Sequence, residues 1–198
     1  QGFQIAAPDL QPASAGLRRS GWSDYLTQAR SALQALPRPR AAIGASLGGL
    51  LAAAIADAAD ALVLINPLLP APYHRAMPQR GESEIVPWRR DARLASTRRA
   101  MADADGAASL YAFRRWRDES GAVLRAALDG IAVPAPVCPA LCIVSGSDQD
   151  IPPDAMSALA ADWGAGLIVL NDATHVGPLL GRSAADAAER AAEWLSAR

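Results

Sequence analysis

Short apolar runs alternate with longer amphipathic stretches along most of the chain. Apolar runs bounded by turn formers predict buried strands, and stretches with a 3.6-residue hydrophobic period predict helices. Phe3 to Ala7 is the first predicted strand, ended by Pro8. Trp22 to Leu36 predicts a helix, opened near Ser20 or Ser23 and closed by Pro37. Ala41 to Ala45 then predicts a strand, Leu47 to Ala58 a helix, and Leu62 to Ile65 a strand stopped by Asn66-Pro67. Further on, Leu141 to Ser145 and Leu167 to Leu170 predict two more strands, with helices over Pro153 to Trp163 and Ala184 to Leu195. Alternation of this kind predicts the α/β class: a mostly parallel sheet with helices on both faces.

Between Pro67 and Val137 the strand rhythm disappears, and Arg, Trp and helix formers dominate. The segment predicts a helical cap, residues 67–137, inserted after the third strand of a single domain spanning residues 1–198. Phe113, Trp116, Ser120 and Val123 recur at spacings of three and four, giving one face able to pack on the body of the domain. Pro134, Pro136 and Pro139 end any helix before the sheet resumes.

With 198 residues, 51% of them hydrophobic, the chain can bury one sizeable core and is short for two. A net charge of −1 gives no global attraction to nucleic acid or to an anionic membrane. The 19 basic residues are all Arg, which genome composition explains more simply than function does. Eleven of them fall in the cap against eight acidic residues, a cationic bias that suits an acidic acyl substrate or equally a solvated helical surface. The longest apolar stretch, Ala41 to Ala56, contains Gly44, Ser46, Gly48 and Gly49, which argues against a membrane span. No signal peptide is visible, so the expected compartment is cytoplasmic. Cys138 and Cys142 are too few for a disulfide framework, and extended chain would hold them about 13 Å apart; two reduced thiols are expected.

Gly44-Ala45-Ser46-Leu47-Gly48 fits the G-x-S-x-G pattern. A nucleophile at a strand end must turn sharply into a helix, which strains the backbone at the Ser, and flanking glycines let neighbouring segments approach. The same turn places the Leu47 backbone N–H at a helix N-terminus, where it can stabilise an oxyanion. A Gly/Ala-rich turn with an incidental Ser would match the five-residue pattern as well; the strand before it and the helix after it are what the chemistry requires. A Ser hydroxyl needs a base, and the chain has two histidines. His175 follows the last predicted strand, at the sheet edge where Ser46 also lies. His74 falls inside the cap and reads as a structural histidine. Asp148 and Asp150, in the loop after Leu141 to Ser145, are the candidate carboxylates to orient His175. Trp88, Trp116, Tyr111 and Phe113 are candidates to line an apolar acyl pocket.

On these motifs the chain resembles the α/β-hydrolase family from its first strand to its last helix, with the order Ser, Asp, His of that family. Ile5-Ala6-Ala7-Pro8-Asp9-Leu10 is similar to the strand-end segment that precedes the family's nucleophile, and Gly146 to Pro152 resembles its acid loop, in which Asp is followed four residues later by Pro. The resemblance favours Asp148 over Asp150. It implies hydrolysis of a carboxylic ester or related acyl bond through an acyl-enzyme, with Ser46, Asp148 and His175 catalytic, a small-molecule acyl substrate, and no metal or organic cofactor. Thioester hydrolysis or acyl transfer would use the same residues; a catalytically silent binding protein is the rival of another class. The family's second oxyanion donor comes from a loop upstream of anything like residues 5–10, and position 1 is not Met. The expectation is therefore that an upstream segment is missing, leaving the Ala41 strand unpaired on one side unless the Phe3 strand pairs with it.

Overall fold

Two strands buried along their whole length organise the molecule. The computed structural model describes residues 2–78 and 83–198. Its elements run α1 (Trp22–Gln34), β1 (Ala41–Ala45), α2 (Leu47–Ala54), β2 (Ala61–Ile65), β3 (Ile85–Val86), α3 (Leu94–Ala100), α4 (Gly106–Arg115), β4 (Glu119–Ser120), α5 (Gly121–Gly130), β5 (Ala140–Ser145), α6 (Pro153–Asp162), β6 (Gly166–Leu170), α7 (Gly177–Leu180) and α8 (Ala184–Ser196). Strands β1, β2, β5 and β6 form a parallel sheet in that order. The two central strands, β2 and β5, are continuous apolar runs because both their faces are covered. Alternation sorts them: Leu62, Leu64, Cys142 and Val144 meet α1, α2 and α6 through Leu33, Ala52 and Leu159, while Val63, Ile65, Leu141 and Ile143 meet α8 through Ala187 and Ala191. Helices therefore cover both faces, as the sequence pattern requires. Burial pushes the Cys142 thiol up to about 12, and both cysteines are free. No helix among the described residues is long and apolar enough to cross a membrane.

Residues 3–7 are not a strand. They carry no regular structure, Ile5 is 85% exposed, and β1 pairs only with β2 among the described residues. The alternation there matches a strand, but a strand requires a neighbour to satisfy its backbone groups and this segment has none. Helix α1 is opened by neither Ser20 nor Ser23: Asp24 reaches back to accept the Gly21 N–H at 2.8 Å, and Ser20 Oγ instead accepts the Ala13 N–H at 2.9 Å. The predicted Leu47 to Ala58 helix ends at Ala54 and tightens into a 3-10 turn over Ala56–Ala58. Helix α7, one turn after His175, was not expected from the pattern.

The segment between β2 and β5 holds α3, α4, α5 and the antiparallel pair β3–β4. The face built on Phe113, Trp116, Ser120 and Val123 is not one helix. Helix α4 stops at Arg115, and Ser120 starts α5 by accepting the Val123 N–H at 3.4 Å while donating to Ser20 O at 2.7 Å. A Ser at this position competes for the helix-terminal N–H groups and so marks a boundary.

Candidate active site

Ser46 occupies a single strained residue between β1 and α2, with φ 51° and ψ −124°. A non-glycine residue in this region costs roughly 1–3 kcal/mol and persists only when its surroundings fix it. Here Ser46 N–H donates to Ile65 O at 3.1 Å, and Ser46 O accepts from Gly49, Leu50 and Leu68 N–H groups. Two glycines permit this approach. A Cβ at Gly44 would lie 2.1 Å from Gly48 O, and one at Gly49 would lie 2.6 Å from Pro67 Cβ. Gly48 differs from the sequence expectation, because a Cβ there meets nothing within 4 Å. Helix α2 begins at Leu47, so the Leu47 N–H has no acceptor within the helix and stands at its positive end.

Asp148 follows β5, and its side chain is 1% exposed. One oxygen, Oδ1, accepts the N–H groups of Asp150 and Ile151 at 2.8 and 2.9 Å. The other, Oδ2, lies 2.7 Å from Nδ1 of His175, in the loop after β6. Of the two candidate carboxylates it is thus Asp148 that meets the imidazole, although Asp150 lines the same cavity. The ligand atoms of Asp148, Asp150 and His175 lie within 4.8 Å of one another, a possible cation cluster, but both Asp148 oxygens already accept hydrogen bonds.

Sequence reasoning took Asn66 only as a strand stop. Buried to 1% exposure, with φ 41°, it joins three strand ends. Its Nδ2 donates to Ser145 Oγ and to the His175 carbonyl, both at 2.8 Å, and its Oδ1 accepts the Ser145 N–H at 2.8 Å. Every hydrogen-bonding group of this amide but one proton is thereby used, and the His175 backbone is fixed to β2. An Asn directly after a fully apolar strand, tolerant of positive φ, was the available signal.

Ser46 and His175 open into one cavity of 650 Å³, walled mainly by apolar side chains that include Leu47, Met77, Trp88, Trp116 and Leu128. Most of this wall comes from the segment between β2 and β5. Trp116 is held by an Nε1–H bond to Thr97 Oγ1 at 2.9 Å. Tyr111 does not line the cavity: it is half-exposed, with the Arg115 guanidinium 3.7 Å above its ring. Nor does Phe113. His74 lies elsewhere, its ring packed against the bare backbone of Gly130. A second cavity of 460 Å³ shares Leu47 and Gly48 with the first and is bordered by Tyr25, Arg89, Arg117 and Glu119. Burial, and then its 2.7 Å hydrogen bond to Glu119, drive the Tyr25 hydroxyl far above its ordinary range, so it serves there as a donor.

A parallel sheet that presents a strained Ser at one strand end and an Asp–His pair at the next two is the arrangement of an α/β-hydrolase. The chain belongs to that family: the family model described as the alpha/beta hydrolase family matches residues 1–193. No curated protein sequence matches it. Among solved structures, tomato methylketone synthase I superposes with a TM-score of 0.72 at 13% identity, covering all of this chain and 89% of that one. Polyneuridine aldehyde esterase gives 0.69 at 14%, covering 94% and 86%, and a methylesterase from Arabidopsis gives 0.68 at 16%, covering 98% and 88%. At these identities the likeness is one of fold.

Proposed function

We propose that the protein is a serine hydrolase that cleaves a carboxylic ester of a small, largely apolar substrate through an acyl-enzyme. Ser46 Oγ attacks the carbonyl carbon while His175 Nε2 takes its proton, and Asp148 holds the proton on Nδ1 and offsets the charge that the ring gains. The Leu47 N–H stabilises the oxyanion. Collapse of that intermediate breaks the bond to the alcohol, which leaves with the proton from His175. A water then gives its proton to His175 and attacks the acyl carbon; the acid departs and Ser46 recovers its proton. In this reading residues 67–137 act as the cap, supplying the apolar walls that select the substrate.

The observation that carries the proposal is the 2.7 Å contact between His175 Nδ1 and Asp148 Oδ2 at a cavity to which Ser46 also opens. Its test is turnover of a panel of p-nitrophenyl esters by the parent and by Ser46→Ala, with labelling by a fluorophosphonate probe. Ser46→Ala should lose several orders of magnitude in turnover and all labelling, because members of such a triad act as a unit. More than a tenth of the parental rate in Ser46→Ala, or a folded parent that neither labels nor hydrolyses, would rule the reading out.

A further inference from the structure

The His175 loop has a second anchor, and it comes from the segment that walls the cavity. Asp103 lies between α3 and α4, and its carboxylate grips the residue before His175. Oδ2 accepts the Thr174 backbone N–H at 3.1 Å and Oδ1 accepts the Thr174 hydroxyl at 2.6 Å. The Asp103 carbonyl in turn accepts the Arg182 N–H at 3.1 Å. Two glycines make room for the grip. A Cβ at Gly177 would lie 2.1 Å from Asp103 Oδ2, and one at Gly181 2.6 Å from the same oxygen. Side chains at either position would push the carboxylate off Thr174.

This clasp is connected to the substrate cavity by a short path. Arg93, Ser96, Thr97 and Ala100, on or beside α3, line the cavity. The chain then passes through Met101, buried at 1% exposure, to Asp103. The base loop is therefore held from two sides: Asn66 fixes the His175 carbonyl to the sheet, and Asp103 fixes Thr174 to the wall over the cavity. A carboxylate accepting two hydrogen bonds is a stronger tether than a neutral acceptor would be.

We propose that Asp103 is a positioning residue that holds His175 in register for proton transfer and ties that register to the cavity wall formed by α3. The inference rests on the reading of His175 as the base. Misplacement by about 1 Å is enough to cost on the order of 100-fold in rate. Asp103→Ala and Thr174→Val should therefore lower kcat about 10- to 100-fold with KM changed less than about threefold, and the double variant should lose no more than the worse single one. Thr174→Ser, which keeps the hydroxyl, should restore most of the rate.

A loss of stability alone would not move those values, and a ligand-free readout separates the two. The chain has two histidines, so ¹⁵N-histidine labelling with His74→Gln as the assignment reference isolates the His175 ring. Its Nδ1–H signal should broaden or disappear in Asp103→Ala and persist in Thr174→Ser. Unchanged kcat and an unchanged ring signal in folded Asp103→Ala and Thr174→Val, with a parent that hydrolyses and labels, overturn the role of Asp103 alone. A parent that does neither overturns the base assignment and this proposal with it. Should Asp103→Ala fail to fold, Thr174→Val carries the same decision.

Discussion

Replacing Asp148 by Asn tests the proposed chemistry most sharply, because the surroundings dictate which way the new amide must face. Oδ1 of Asp148 accepts two backbone N–H groups, from Asp150 and Ile151. Only the amide oxygen can serve them, so the NH2 is forced to the Oδ2 position, 2.7 Å from His175 Nδ1. Two donors cannot meet there. The imidazole must then carry its proton on Nε2 and present a lone pair to the amide, leaving no acceptor for the Ser46 proton. Loss of a hydrogen bond to an ionised group alone is worth about 1.5–3 kcal/mol, or roughly 10- to 150-fold in rate. Adding the inverted tautomer brings the expected loss in kcat to about 10⁴-fold, or about 5.5 kcal/mol. Folding should survive, since both backbone partners are kept; Asp148→Ala, which strands both N–H groups, should be less stable. Saturation kinetics on a p-nitrophenyl ester with a parallel urea melt measures both quantities. A loss smaller than tenfold in Asp148→Asn, or a larger loss in Asp150→Asn, would refute the reasoning.

Three further outcomes follow from geometry already described. Gly44→Ala should destabilise the protein by about 1–3 kcal/mol or more in urea melts, because its Cβ meets the Gly48 carbonyl, whereas Gly48→Ala should remain near the parent; equal effects would contradict the packing at the turn. Cys142, fully buried and with its thiol pushed up to about 12, should resist iodoacetamide at about pH 8 until the protein is unfolded, and rapid alkylation of the native state would contradict its burial. The Arg90 N–H, with that of Arg89, holds the Asp118 carboxyl below its ordinary 3.8, so its contribution is present above that value and lost as pH falls through the lower folded one. Asp118→Asn should thus narrow the gap in melting temperature between about pH 5 and pH 3, and an unchanged gap would show that this contact does not stabilise the fold.

What could be read from the chain was what neighbours in sequence decide. Glycines around Ser46, the apolar runs of β2 and β5, and a proline four residues after Asp148 are local signals, and each led to the right element. The failures were of pairing and of reach. Residues 3–7 have a strand's alternation, yet strand formation depends on a partner that no short window contains. Phe113 to Val123 has a helix's spacing, but Ser120 starts a new helix within it. Asn66 and Asp103 act across 109 and 71 residues of chain respectively, so nothing beside either in the sequence marks its partner.

Because β2 and β5 lie side by side in register, with Val63 opposite Leu141, the whole segment between them leaves and re-enters the sheet at adjacent points. The entropy of closing such an excursion grows only logarithmically with its length, about 0.6 kcal/mol per doubling. Segments of other lengths and compositions are therefore graftable between Asn66 and Ala140 with little thermodynamic consequence for the four-stranded platform, which makes this stretch a natural site for diversification by recombination or design. The exception is one carboxylate. A replacement that does not bring an acceptor back to Thr174 would keep the platform and lose the grip on the loop beside it, so the number of successful grafts should be limited by that single contact rather than by how well the new segment packs.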